Sequence, residues 1–235
     1  MSKKFIIFQV IFLLLSALLL LTLLPIAGSI DQALLSPYVS ATQGFLYKNF
    51  WWYDQFAHHD MKVLQEFILL CILGSTIVSK YQVKFISLKN TRQYIQLLIF
   101  MLLSILIISI LKQNSTHSCP WYMMQVDQST IHFFNYLGQG KCFPGGHSSL
   151  GYAWMAGFFV FYKQDRKIAY FYLFSGLILG TGMGFTQMMR GAHFLSHNLW
   201  TFWFTYVVNI CLYVLINSPL YHHICRKFYN HQQPL

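Results

Sequence analysis

Six apolar runs, each near the roughly 20 residues a helix needs to cross a hydrocarbon core, dominate this chain. They lie near residues 5–27, 61–79, 94–111, 148–162, 168–188 and 196–216. The expectation is an all-α, polytopic membrane protein, a six-transmembrane-helix bundle. Composition agrees: 56% of the 235 residues are hydrophobic and only 9% charged, too few charges to solvate a water-soluble domain of this size. The fourth run is short and interrupted by Gly151 and Gly157, which makes it the weakest of the six. Because the connections are brief, one domain is expected over residues 1–235, with a tail over 218–235.

The first run has two readings. Lys3 and Lys4 precede it and Ile26-Ala27-Gly28-Ser29 offers small residues near its end, as in a cleaved signal peptide. Its apolar stretch is longer than a signal peptide needs, so a retained transmembrane helix at about 5–27 is expected, with cleavage as the alternative. Orientation follows from the basic residues. Lys3, Lys4, Lys80, Lys84, Lys89, Arg92, Lys163, Arg166, Lys167, Arg226 and Lys227 fall on one side. Lys48, Lys62, Lys112, Lys141 and Arg190 fall on the other. The positive-inside rule then places both termini in the cytoplasm. The net charge of +10 is thereby explained by topology and by anionic lipid, and no nucleic-acid partner is called for. No Gly-rich nucleotide loop, zinc spacing or carboxylate pair occurs, so no cofactor signature is read. Residues 28–60, with Phe50-Trp51-Trp52-Tyr53, suit an interfacial helix or a simple belt anchor.

Two histidine clusters open outward at helix mouths. In Pro144-Gly145-Gly146-His147 the glycines allow close backbone approach, and the first amides of the following helix point at whatever fills the turn, a geometry that binds anions. His147 can protonate a leaving group there, and Lys141 can add positive charge. Alone, such a turn also reads as a plain helix start. In Arg190-Gly191-Ala192-His193-Phe194-Leu195-Ser196-His197, His193 and His197 are one helical turn apart and share a face. Ionisable groups at membrane helix ends mark functional sites more often than a solvated surface does. The segment joining the last two helices is so short that they must be neighbours.

At these residues the chain resembles the type 2 phosphatidic acid phosphatase superfamily, whose three outward motifs stand on a six-helix membrane core. Lys112, six residues, then Cys119-Pro120 matches the first motif with Cys119 in place of arginine. Pro144-Gly145-Gly146-His147 matches the second with Gly145 in place of serine. In the third, His193 takes the nucleophile position, His197 the position of an aspartate, and Thr186-Gln187 that of a Ser-Arg pair. The resemblance covers mainly residues 60–216. It implies an integral membrane phosphatase acting on a lipid phosphate or diphosphate without metal, His193 attacking phosphorus and His147 serving as acid and then base. It further implies a bacterial inner membrane with a periplasmic active site. A lipid phosphotransferase, or a degenerate member that binds phospholipid or acts as a scaffold, would share these features.

The departures are mainly electrostatic. Both motif arginines are missing, so Lys112, Lys141 and Arg190 are expected to clamp the phosphate, with Gly145 and Gly146 beside them. His197 would support His193 through a weaker hydrogen bond than a carboxylate gives; the reverse assignment, His197 attacking, stays open. Of five cysteines only Cys119 and Cys142 face outward, where they either pair or remain thiols.

Overall fold

The computed structural model describes residues 3–80, 91–127, 130–134 and 140–219. Lys84, Lys89, Arg226, Lys227 and the tail from 220 onward lie outside the described residues. In chain order the elements are α1 (Lys3–Leu23), α2 (Ser29–Leu35), the short strands β1 (Val39–Ser40) and β2 (Gly44–Phe45), and a π-helical segment (Trp52–Asp60) leading into α3 (Met61–Lys80). Then come α4 (Thr91–Gln113), α5 (Pro120–Met123), β3 (Met124–Asp127), β4 (Thr130–Phe133), α6 (Gly146–Ala153), α7 (Ala156–Phe161), α8 (Arg166–Met189) and α9 (Leu195–Ile216). The strands form two antiparallel hairpins, with Val39 opposite Phe45 and Met124 opposite Phe133. The protein is mostly helical.

Among the described residues, four helices are long and apolar enough to cross a membrane: Lys4–Leu23, Thr91–Gln113, Arg166–Met189 and Leu195–Ile216. These make the chain an integral membrane protein. The first ends at Leu23 rather than near 27, because Pro25 lacks an N–H and restrains the residue before it. The run expected at 148–162 is two short helices. Between them, Trp154, Met155 and Gly157 donate to carbonyls three residues back, a tighter winding than the α-helix. Gly151 serves packing: a Cβ there would strike the backbone of Gly180, so its absence lets α6 lie directly against α8.

A single aromatic-rich core unites the helices. Phe100 and Met101 of α4, Tyr152 of α6, Phe159 and Phe161 of α7, Tyr172 of α8 and Tyr206 and Tyr213 of α9 are all buried in it. α1 leans on α9, where the Tyr206 hydroxyl donates to Gln9 at 2.6 Å and the Trp203 indole donates to the Leu13 carbonyl at 3.1 Å. A smaller cluster of Leu35, Val39, Phe45, Met123, Met188 and Phe194 seals one end of the bundle. It packs residues 35–45 directly over the turn between α8 and α9, which holds His193.

Candidate active site

The three motif segments meet at one cavity of about 150 Å³. Lys112 at the end of α4 and Cys119 line it from the first segment, Cys142 and His147 from the second, and Gln187, Arg190, Ala192 and His193 from the third; Trp121 of α5 completes the wall. Cys119 and Cys142 are joined as a disulfide, Cα atoms 5.1 Å apart, which ties the first segment to the second. The Cys142 amide also donates to the His117 carbonyl at 3.0 Å.

Backbone bonding fixes the third segment to the other two. The Trp121 amide donates to the Gly191 carbonyl at 3.0 Å. Gly191 has φ +79°, the left-handed region that disfavours side chains, and a Cβ there would also overlap the Phe45 ring. The Gly145 amide donates to the Thr201 hydroxyl of α9 at 2.7 Å, and that hydroxyl donates to the His197 carbonyl at 2.7 Å. Gly145 therefore has no amide left for an anion. Gly146 has a different use: the Lys112 ammonium lies 3.2 Å from where its Cβ would be, so a larger residue would crowd the lysine.

His193 is 3% exposed and its Nδ1 has no hydrogen-bond partner among the described residues. It lies in the turn outside the helices. Burial holds its pKa well below the ordinary histidine value, and the charges of His197, Lys112 and His147 act in the same direction, against a smaller opposing pull from the Cys142 backbone. The imidazole is thus kept neutral, the form with a nucleophilic lone pair. His197 stands behind it, fully buried, ring centroids 5.8 Å apart, with Phe143 and Phe194 against its own ring at 5.5 and 5.3 Å. It does not line the cavity. Neither of its nitrogens has a hydrogen-bond partner among the described residues.

Arg190 reaches the cavity but is largely spoken for. Its Nε donates to the Lys48 carbonyl at 3.2 Å, Nη1 to Gln187 Oε1 at 3.2 Å, and Nη2 to the Asp54 carboxylate. Burial lowers the guanidinium's pKa, and Asp54 opposes that only in part. Lys141 is exposed and does not line the cavity.

Two contributors, Asp31 and Asp54, are not picked out in the sequence, and a third, Gln187, reads there only as the replacement of a motif arginine. Gln187 is 2% exposed and lines the cavity; because its Oε1 accepts from Arg190, its Nε2 is left without a partner among the described residues. Asp54 anchors Arg190 from the π-helical segment. Asp31 of α2 is 1% exposed and accepts from the Ser196 amide at 2.9 Å, the Ser196 hydroxyl and the Ala27 amide at 2.9 Å, so it caps the start of α9 from across the fold. Burial raises its pKa, the Ser196 bonds opposing. A usable signal existed: only six acids occur in the chain, and two of them are these.

Comparison with curated proteins and with solved structures returned no match. The three segments that converge on the cavity all lie inside, or begin inside, one stretch that does match a family. Since that match, to the PAP2 superfamily, runs over residues 93–219 and so over more than half of the chain, this protein belongs to the PAP2 superfamily.

Proposed function

We propose that the protein hydrolyses a lipid phosphate or lipid diphosphate through a phosphohistidine intermediate, with both termini in the cytoplasm and the site at the outer face of a bacterial inner membrane. Membership of the superfamily supports a phosphatase acting on phosphate esters at the coarse level, and the apolar helices suit a membrane location. The observation that carries the finer reading is the meeting of a buried neutral His193 with His147 and Lys112 around one small cavity.

In this reading the lone pair of His193 forms a bond to phosphorus while the ester oxygen leaves with a proton from His147. His147 then takes a proton from water, whose oxygen attacks phosphorus, and the P–N bond breaks to release phosphate and restore His193. Lys112 and Arg190 hold the charge that develops on the phosphoryl oxygens. Gln187 adds a neutral donor through Nε2, aimed by Arg190. Lys141, exposed and one residue before Cys142, adds positive charge outside the cavity, and His197 supports His193 from behind. α3 and the α6–α7 pair complete six spans with the four long helices.

Purified full-length protein, assayed with a chelator present against phosphatidic acid, phosphatidylglycerol phosphate, undecaprenyl diphosphate and lipid A phosphates, tests this. Phosphate release that disappears in both His193→Ala and His147→Ala supports the reading. Lipid phosphate bound without release points to a degenerate binder, and phosphate passed to a second lipid points to a phosphotransferase. The loss of both motif arginines and of the aspartate favours testing for the binder.

A further inference from the structure

We infer that an apolar crevice between the π-helical segment and α8 seats a hydrocarbon chain of the phosphate-bearing substrate, so that headgroup and tail occupy adjoining spaces; this rests on the phosphatase reading above. The crevice has a volume of about 260 Å³. Trp52 and Phe56, whose rings stack with centroids 4.6 Å apart, form one wall, and Ile178, Gly182, Met183 and Thr186 of α8 form the other. From Ile178 to Thr186 it follows α8 for about 12 Å, at 1.5 Å per residue.

Its position ties it to the cavity. Thr186 ends the crevice, the next residue, Gln187, lines the phosphate cavity, and Arg190 lines it one helical turn further on. The opposite wall is shared as well, since the π-helical segment that supplies Trp52 and Phe56 also supplies Asp54 to Arg190. A chain lying in the crevice therefore leads its phosphate to His193. Both walls are open to the side, Trp52 being 50% exposed and Ile178 72%, so a chain would enter laterally.

Gly182 supplies a second observation on the same wall. Glycine weakens a helix interior, so its presence calls for a packing reason. Of the four glycines in α8, Gly176, Gly180 and Gly184 each have one, because a Cβ would strike Met155, Tyr152 or Asn198. A Cβ at Gly182 would meet nothing within 4 Å among the described residues. The space beside it is left open on the crevice wall, where a chain would lie. A second apolar crevice, about 220 Å³ between α3 and α4 with Ile99 in its wall, shares no residue with the phosphate cavity and serves as a control.

The test compares hexadecyl phosphate with water-soluble p-nitrophenyl phosphate, using full-length protein in detergent micelles. Gly182→Leu fills the crevice and is expected to lower kcat/KM for hexadecyl phosphate about tenfold or more while leaving p-nitrophenyl phosphate within about twofold. Gly182→Ala should give a smaller loss in the same direction, and Ile99→Trp should change neither substrate. Equal loss on both substrates, or no loss on either, overturns the inference. Failure of the wild-type protein to release phosphate from both overturns the phosphatase reading instead.

Discussion

Residues 93–219 and residues 27–60 contribute to the same cavity in opposite ways. The first stretch matches the superfamily and carries every residue that lines the cavity. The second lies outside the match and reaches in from behind: Asp31 holds the start of α9, the Lys48 carbonyl and Asp54 hold Arg190, and Phe45 lies under Gly191. The difference shows where an apolar chain places its polar supports. A guanidinium or a helix start within the bundle needs partners, and when its own segment lacks them a remote segment supplies them. Residues 27–60 thus hold the cavity's supports in place, beyond the belt anchor that their aromatic run suggests.

The largest effects are expected at the two histidines proposed to react. His193→Ala is expected to lower phosphate release more than about 10³-fold, with His147→Ala close behind, while the folded protein survives; size-exclusion profiles and phosphate assays check this. Arg190→Ala should lower kcat/KM about 10²-fold as one oxyanion donor is lost. Asp54→Ala should lower it only about tenfold, because it loosens Arg190 without removing it. Equal losses in those two variants would erase the distinction between reacting and supporting regions. Asp31→Ala should act on stability, by about 2–3 kcal/mol, since two amides and a hydroxyl lose their acceptor; thermal melting in detergent shows the fall, with near-normal kcat at low temperature.

The smallest expected effect is in pH dependence. His193 stays neutral in the folded protein, its pKa held far down, whereas the unfolded chain takes up a proton as pH falls through about 6.5. The unfolded state then binds more protons, so stability falls with falling pH below that point, by at most about 1.4 kcal/mol per unit for this residue. His193→Gln should flatten the melting temperature against pH between about 5 and 6.5.

Much of this arrangement is legible in the sequence because it depends on local signals. Long apolar runs mark α1, α4, α8 and α9, and the order of Lys112, His147 and His193 marks the site. Local signals also mislead in places. Gly145 looks ready for an anion, yet its amide is taken by Thr201, 56 residues away. Lys141 looks like a replacement for a lost arginine, yet it is exposed and does not line the cavity, whereas the buried Gln187 does. The Asp31–Ser196 and Asp54–Arg190 pairings span 165 and 136 residues, and no periodicity encodes such contacts. What hinted at them was scarcity, since an acid in a chain this apolar needs a partner.

In the proposed reaction His193 is the nucleophile. Mass spectrometry of protein quenched rapidly during turnover, without acid, tests that directly. A phosphoryl group is expected on His193, absent from His193→Ala and still formed, more slowly, in His197→Ala. A phosphoryl group on His197, or steady phosphate release with no phosphorylated histidine at any time point, would contradict it.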